Sequence, residues 1–345
     1  MSVEFPKAMG PLLAGQALSP AEVRAAFDAI LAGAWTPVQV GAFAVALRMR
    51  GETVETIVAA AESMRASMAV VPHDLPVVVD TCGTGGDGAQ TLNLSSVAAV
   101  IVAACGLPVA KHGNRSASSR CGSADVFEHL GIPLDIPPER HGEILREAGI
   151  TFLFARAHHG ALKHAGQARG ELGVRTIFNA LGPLANPAHA THQLLGVYDD
   201  ALRPIAARAL GQLGIRRAWV VRGDDGLDEV SPCAPTRVSE ISGSQVREIV
   251  VAPEDFGIAR TPPSAIAGGD IETNARAVEA LLAGGDHPAR DAVVLNAAAA
   301  LVVATGESPR ACAERARRTL ESKAAQTTFE RWRSVAQRVR AAAGP

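Results

Sequence analysis

The chain has little lysine, few aromatic side chains and no regular cysteine pattern. Only four of its 345 residues are lysine whereas 29 are arginine, and Phe, Trp and Tyr together make up 4%. The hydrophobic fraction is nevertheless 48%, which predicts a sizeable core built from Ala, Val, Leu and Ile. At roughly 100–200 residues per domain, this length predicts two domains or one large domain.

The five cysteines are odd in number and show neither a CxxC pair nor a Cys/His ligand spacing. A disulfide framework and a structural zinc site are therefore disfavoured, and a reducing cytoplasmic location is expected. The first residues lack the basic segment and apolar run of a signal peptide. The apolar stretches at 94–110 and 293–305 are interrupted and shorter than a ~20-residue membrane span, so no membrane association is expected.

The net charge of −2 disfavours a nucleic-acid partner bound through a general basic surface. Any cationic site must be local. The few lysines of an arginine-rich chain are candidates for such a site, because an ammonium is a compact point charge and a guanidinium a planar fork.

The first seventy residues carry the signals of short helices. Ser19 and Glu22 have the spacing of a capping box, with a proline at the first helical position, and Thr36 with Gln39 repeats the pattern. Apolar residues recur at helical spacing between these signals, and a further helix is expected at 53–68.

From residue 70 onward, apolar runs alternate with helical periodicity. Strands are expected at 77–80, 108–111, 150–154, 193–197 and 218–222, followed by an antiparallel pair at 236–241 and 246–251. Helices are expected at 95–105, 123–130, 138–147, 202–213, 274–282, 288–304 and 309–342. The pattern predicts an α/β fold with a small all-helical N-terminal domain and a larger α/β domain around a mostly parallel central sheet.

A glycine loop (residues 83–88) follows the first predicted strand in the string DTCGTGGDG. Its four glycines let the backbone approach a ligand and turn N–H groups inward, which is typical of a phosphate site; a tight turn is the alternative. The helix that opens at Asn93 would add a second anion site. The string is neither GxGxxG nor GxxxxGK[ST], so the nicotinamide and Walker sites are excluded.

A cation loop (residues 111–123, KHGNRSASSRCGS) follows the second predicted strand. Three cations and four serines suit a polyanion, with a solvated surface loop as the alternative. An acidic loop (residues 223–229, GDDGLDE) follows the strand at 218–222. Carboxylates crowded at the end of a strand suit Mg²⁺ shared with a phosphate, and the neighbouring anion sites favour this interpretation over a solvated acidic turn.

With the string RTIFNALGPLANP at 175–187, these loops resemble the anthranilate phosphoribosyltransferase family over nearly the whole chain. The resemblance implies transfer of the phosphoribosyl group of 5-phosphoribosyl-1-pyrophosphate (PRPP) to the amine of anthranilate in tryptophan biosynthesis. It also implies Mg²⁺, with two ions, and a homodimer formed through the helical domain. The family fold, shared with the pyrimidine nucleoside phosphorylases, implies a helical domain at 1–72, joined by helices within about 159–186, and a phosphoribosyl-binding domain at 73–345.

The resemblance also assigns site residues. Those for PRPP are Gly83, Gly86, Asp87, Thr91, Asn93, Leu94, Ser95, Ser96, Lys111, His112, Gly113, Asn114, Arg115, Ser116, Ala117, Ser118, Ser119 and Ser123. Those for anthranilate are Gly83, Asn114 and Arg169, and those for the metal are Ser95, Asp228 and Glu229. Lys111, Asp228 and Glu229 are the catalytic candidates.

Two segments depart from the family pattern. Arg156, Gly160 and Gln167 stand where the family has prolines, which frees the backbone of a segment expected to line the acceptor channel and concerns acceptor affinity or selectivity. Arg120 and Cys121 stand where Lys and Ser are usual. We expect the surrounding cations and a helix N-terminus to lower the pKa of Cys121, making it open to modification and protected by substrate.

Other reactive side chains receive structural interpretations. His112 is expected to pack or to orient its loop rather than to act as a base. His158, His159 and His164 are expected on a solvated helix, because their spacing supplies no closed metal-ligand set. Cys82 lacks a basic partner for thiol catalysis, and the tryptophans and the single tyrosine are expected in the core or an interface.

Two other functions remain as alternatives. A pyrimidine nucleoside phosphorylase of the same fold would need a different glycine string and would not need the pair Asp228 and Glu229. A nucleic-acid-binding relative without catalysis is disfavoured by the net charge and by the presence of Arg169.

Overall fold

A computed structural model describes residues 3–116, 120–243 and 245–344 of the chain. The helices are α1 (Phe5–Leu13), α2 (Pro20–Leu31), α3 (Pro37–Arg50), α4 (Val54–Ser67), α5 (Leu94–Ala104), α6 (Ser123–His129), α7 (His141–Ala148), α8 (Ala155–His158), α9 (Lys163–Leu172), α10 (Ile177–Leu181), α11 (Leu202–Gln212), α12 (Ile271–Leu282), α13 (Arg290–Thr305), α14 (Pro309–Glu321) and α15 (Ala324–Ala342). The strands are β1 (Val79–Gly83), β2 (Val109–Gly113), β3 (Ile150–Phe154), β4 (His192–Gly196), β5 (Arg217–Gly223), β6 (Thr236–Ser242) and β7 (Gln245–Val251).

The strands form one sheet in the order β3-β2-β1-β4-β5-β6-β7. The first five are parallel and are joined by helical crossovers, whereas β6 and β7 are antiparallel, as the sequence predicts. Strand β1 starts and ends later than predicted, because it pairs with β4 from Val79 to Gly83. The chain therefore has a helical N-terminal domain and a larger α/β domain.

Both predicted capping boxes begin helices. The hydroxyl of Ser19 accepts the Glu22 N–H while the Glu22 carboxylate accepts the Ser19 N–H at 2.8 Å, and Thr36 with Gln39 does the same at the start of α3. Two predicted helices are interrupted. The segment 138–147 opens with a 3₁₀ turn before α7, and 309–342 breaks at Lys323, whose φ of 61° separates α14 from α15.

The two faces of the sheet are covered differently. One face packs on α5 and α12 to α15. The other packs on α11 and the N-terminal helices. Helices α9 and α10 join the N-terminal helices, with α9 against α3 and α10 against α4, and the rings of Phe27 and Phe178 lie 5.5 Å apart. Trp35, Trp219 and Trp332 are all buried, as expected.

In residues 3–116, 120–243 and 245–344, no helix is both long enough and apolar enough to cross a bilayer.

Candidate active site

The strand order of the sheet reverses at β1, and we call the space between the loops beyond the strand ends there the crevice. Strand β1 lies between β2 and β4, and in open α/β sheets ligands bind beyond the carboxyl ends of the strands at such a point. The glycine loop leaves β1, the cation loop leaves β2 and the acidic loop leaves β5, all at this edge. Parallel pairing thus brings together three loops that are far apart in the sequence.

The glycine loop contacts the acidic loop directly. The Gly85 N–H donates to Asp228 Oδ2 at 2.8 Å, and the Asp228 N–H donates to Asp87 Oδ2 at 3.4 Å. A Cβ atom on Gly83 would lie 2.7 Å from Asp228 Oδ2, and one on Gly196 would lie 1.6 Å from the Asp228 carbonyl oxygen. Both positions need glycine because the acidic loop passes so close to the strand ends.

The N-terminus of α5 lies against the other carboxylate of the acidic loop. The Ser95 N–H donates to Glu229 Oε1 at 3.1 Å, and the Thr81 hydroxyl donates to the Ser95 carbonyl at 3.0 Å. The hydroxyl of Ser96 is buried and has no hydrogen-bond partner among the described residues. The start of this helix therefore keeps a polar group available for a ligand.

Lys111 is buried at the centre of these contacts, with 2% of its surface exposed. Its ammonium donates to the Thr81 carbonyl oxygen and lies 3.4 Å from Ser95 Oγ. Burial lowers the pKa of Lys111, whereas the negative charges of Asp80, Glu229 and Asp228 oppose this shift. The lysine thus supplies positive charge at the floor of a crevice lined with carboxylates.

Asp228 and Glu229, the acidic pair of this loop, are half-buried and adjacent in the chain. Burial and the charge of Asp87 raise the pKa of Asp228 to about 7, and burial and the charge of Asp228 raise the pKa of Glu229 to about 8. Burial is the larger cause of both shifts, and the neighbouring negative charge is the second. A divalent cation fits this donor set.

No group of three or more His, Cys, Asp or Glu side chains in the described part of the chain could hold a metal by itself. This agrees with Mg²⁺, which usually binds through one or two carboxylates and takes its remaining ligands from water and substrate phosphates.

The cation loop is directed partly away from the crevice. The guanidinium of Arg115 pairs with Asp125 at 2.9 Å and with Glu128 at 2.7 Å, and the Ser123 hydroxyl lies 3.4 Å from the Asn114 carbonyl oxygen. The predicted PRPP residues Ala117, Ser118 and Ser119 lie outside the described residues. Elsewhere in the PRPP set, Leu94 packs in the core, His112 is buried, Gly86, Gly113 and Ser116 are half-buried, and Thr91 pairs with Ala267.

Arg169 lies on α9, half-buried, with its guanidinium 5.7 Å from the centre of the Phe178 ring. Burial lowers its pKa. Among the described residues this guanidinium has no ion pair and no hydrogen bond. A cation in such surroundings fits a carboxylate ligand.

Two contacts bring the segment that carries Arg169 to the crevice. The rings of His112 and His159 lie 5.1 Å apart, and Arg175 donates to the Gly86 carbonyl oxygen while stacking 4.4 Å from the Tyr198 ring.

The expectation of a solvated helix is wrong for two of the three histidines. His158 and His159 are 1% and 4% exposed. His158 Nδ1 donates to the Ala69 carbonyl oxygen at 2.8 Å, and the His159 ring packs against that of His112. Burial lowers the pKa of His158, and it lowers the pKa of His159 to about 4.

The expectation for Cys121 is also wrong. Its thiol is buried, and burial together with the charge of Asp125 raises its pKa to about 11. The neighbouring cations do not lower it, since Arg115 is paired with acidic side chains and Arg120 is exposed. Cys121 therefore lacks the thiolate character that modification requires.

Sequence reasoning missed a buried polar network beneath the crevice. Asp80 accepts the His112 N–H at 3.0 Å and the Asn186 amide at 2.9 Å, and the Gln193 amide lies 3.3 Å from it. Asn296 binds both the N–H and the carbonyl of Val230, each at 3.0 Å, directly after the acidic pair. Asn186 stands in the 175–187 string, but Asn296 lies in an Ala-rich helix with no local signal.

Two family models and many known proteins match the chain over most of its length. Residues 7–68 match the model "Glycosyl transferase family, helical bundle domain", and residues 75–326 match "Glycosyl transferase family, a/b domain". The chain is 49% identical over 328 residues to the anthranilate phosphoribosyltransferase of Symbiobacterium thermophilum, covering 95% of this chain and 96% of the relative.

Two solved structures are also similar. The anthranilate phosphoribosyltransferase of Thermus thermophilus superposes with a TM-score of 0.91 at 41% identity, covering 96% of this chain and 99% of that one. The Saccharomyces cerevisiae enzyme in complex with PRPP and Mg superposes with a TM-score of 0.90 at 28% identity, covering 96% and 98%.

Proposed function

The chain belongs to the anthranilate phosphoribosyltransferase family and transfers the phosphoribosyl group of PRPP to the amine of anthranilate, and we propose that the crevice between β1 and β4 is where it does so. The supporting observation is the convergence on that crevice of the glycine loop, the start of α5, Lys111 and the acidic pair. Anthranilate fluorescence, followed with PRPP and with or without Mg²⁺, tests the proposal. Loss of anthranilate only when both PRPP and Mg²⁺ are present supports it; phosphorolysis of thymidine or uridine instead would contradict it.

PRPP would lie along the glycine loop and the start of α5, with the cation loop closing over it. The glycine loop, whose backbone a ligand can approach closely, and the positive end of α5 suit phosphate oxygens. The hydroxyl of Ser96, which is buried without a partner among the described residues, supports this position. Lys111 is placed to balance the charge that develops on pyrophosphate as it leaves.

Asp228, Glu229 and Ser95 are the residues that would hold Mg²⁺, and we propose two ions. The yeast relative was solved with PRPP and Mg. In this chain burial first, and neighbouring negative charge second, raise the pKa values of both carboxylates, and a bound cation would offset both effects. When bound, the metal would neutralise charge on the pyrophosphate leaving group.

Anthranilate would bind with its carboxylate on Arg169 and its amine toward the ribose, near Gly83 and Asn114. The amine is already a nucleophile, so no strong base is needed. We expect direct displacement with inversion at the sugar carbon, and the rate depends on holding the two substrates together.

An exposed apolar stripe on α3, outside the crevice, bears on assembly. Val38, Ala42, Val45 and Met49 form a stripe along α3 at helical spacing, with Val38 81% and Met49 84% exposed. We propose that this stripe belongs to a homodimer interface formed by a helical domain, residues 1–72 joined by helices within 159–186, and distinct from the domain at 73–345. Light scattering after size-exclusion chromatography tests it: a V38D/M49D variant should be monomeric, and an unchanged mass would contradict the interface.

A cytoplasmic location is proposed for the same protein. Among the described residues the five cysteines, three of them buried, form no disulfide, which suits a reducing compartment. Fractionation of the native host tests the location, and recovery outside the cytoplasm would contradict it.

A further inference from the structure

A chain of amide hydrogen bonds connects α12 to both PRPP-binding segments. Asn274, in the first turn of α12, is 2% exposed. Its Oδ1 accepts the Gly269 N–H at 2.7 Å, and its Nδ2 donates to Asn93 Oδ1 at 3.1 Å. Asn93 Nδ2 in turn donates to the Cys121 carbonyl oxygen at 3.2 Å. Three segments distant in sequence are thus joined through two side chains.

The direction of each amide in this chain is fixed by its partners. Gly269 offers an N–H, so Asn274 must turn its oxygen there and its NH₂ group toward Asn93. Asn93 must then turn its oxygen toward Asn274 and its NH₂ group toward the Cys121 carbonyl. Although Asn93 is the N-cap residue of α5, its side chain makes no capping bond, because it reaches across to the cation loop instead.

Residues 266–268, just before α12, also bind the backbone of the segment 90–92. The Gly268 N–H donates to the Gln90 carbonyl at 2.9 Å, and the Leu92 N–H donates to the Ile266 carbonyl at 2.9 Å. A Cβ atom on Gly268 would lie 2.5 Å from the Thr91 carbonyl oxygen. The segment before α12 therefore contacts the residues that lead into α5 through its backbone. Asn274, in α12 itself, adds a side-chain contact to Asn93.

We propose that Asn274 is a positioning residue for PRPP, which acts through Asn93 to hold the start of α5 at a fixed distance from the cation loop. The inference rests on the proposed PRPP site. Asn274 touches no reacting atom; its role is to keep the Asn93 amide in one orientation and the Cys121 carbonyl in place. Anthranilate binding, which depends on α9, is not part of this role.

The test compares Asn274→Ala, Asn274→Asp, Asn93→Ala and the double variant N93A/N274A by steady-state kinetics with each substrate varied. Asn274→Asp is nearly isosteric and keeps the bond from Gly269, but it presents an oxygen to Asn93 Oδ1. The Asn93 amide must then reverse and set its own oxygen against the Cys121 carbonyl. Ser308→Ala, which removes the cap of α14 away from the site, is the control for a loss of stability alone.

We expect both Asn274 variants to raise the KM for PRPP about tenfold, the effect of losing one hydrogen bond of typical strength, while the KM for anthranilate stays within about twofold. The double variant should match Asn93→Ala alone, because the two residues act in one chain. Independent multiplication of the two effects would overturn the inference, as would an unchanged KM for PRPP in Asn274→Asp or an equal rise in Ser308→Ala. If Asn93→Ala itself leaves that KM unchanged, the proposed PRPP site is wrong at Asn93 and the inference is overturned with it.

Discussion

The ammonium of Lys111 is the buried positive charge nearest the acidic pair, and its loss should affect both binding and turnover. Lys111→Met preserves most of the side-chain volume but removes the charge that faces Glu229 and Asp228. We expect the KM for PRPP to rise and kcat to fall, with kcat/KM about 100-fold lower, as for loss of one preorganised charge-stabilising group. Lys7→Met, at an exposed lysine, should stay within about twofold of the unmodified protein. Equal kinetics for the two variants would contradict the role of Lys111.

Loss of Arg169 should weaken the binding of anthranilate rather than that of PRPP. Arg169→Ala removes a half-buried guanidinium, which has no ion pair among the described residues, and should weaken anthranilate binding by about 1–3 kcal/mol, the contribution of a charged hydrogen bond. Arg169→Lys keeps the charge but loses the planar fork, so its defect should be intermediate. Steady-state kinetics should show a raised KM for anthranilate with little change for PRPP. An unchanged anthranilate KM in Arg169→Ala would make the acceptor assignment wrong.

At single residues, sequence reasoning succeeds where a local pattern carries the chemistry. The acidic pair follows β5 and Lys111 lies in β2, each within a dense polar string, and the structure brings them together. Cys121, His158 and His159 were interpreted wrongly because burial depends on distant segments. Nothing local distinguishes Cys121, whose thiol is covered in the folded chain, from an exposed thiol beside cations.

Helix α9 carries two glycines in its interior, where glycine lowers the stability of a helix. It contains Gly166 and Gly170, and a Cβ atom added at either would meet nothing within 4 Å. Replacing an interior helical glycine with alanine should raise the free energy of unfolding by about 0.5–1 kcal/mol. Gly173→Ala is the matched control of opposite sign, because Gly173 ends the helix at a φ of 59°. Urea unfolding measures all three variants; destabilisation by Gly166→Ala and Gly170→Ala would contradict the prediction.

The order of elements was predictable, whereas several boundaries were not. Alternating apolar runs and helical periodicity locate the strands, and capping boxes locate α2 and α3. Strand β1 extends past its apolar run because Asp80, Thr81 and Cys82 are buried by the sheet and pair with β4. The break at Lys323 has no glycine or proline to announce it.

At the scale of the whole molecule, the sheet separates two cores, and the site lies where they meet. One core contains α5, whose N-terminus lies against Glu229, and α13, whose Asn296 holds the backbone after the acidic pair. The other contains the N-terminal helices together with α9 and α10. We infer that the binding of PRPP depends mainly on the first core and the binding of anthranilate mainly on the second.

Buried histidines beneath this junction should make folding sensitive to acid. The rings of His112 and His159 lie 5.1 Å apart, as do those of His141 and His158. Burial lowers the pKa of each, to about 4 for His159 and about 3 for His141. Below the ordinary value near 6.5 these histidines therefore bind more protons in the unfolded chain than in the folded chain, so their contribution to the free energy of unfolding falls as pH falls from about 6.5 toward about 4. The raised pKa values of Asp228 and Glu229 contribute with the opposite sign over the same range.

His159→Phe tests this pH dependence with the least loss of packing. Both ring nitrogens of His159 lack a hydrogen-bond partner among the described residues, so a phenyl ring of similar shape replaces no bond. Urea unfolding at about pH 7 and about pH 4.5 should show a smaller loss of stability in the variant, by about 1–3 kcal/mol, because one of the titrating groups is gone. The same loss in both proteins would mean that the His159 ring is already protonated, or solvated, in the folded chain.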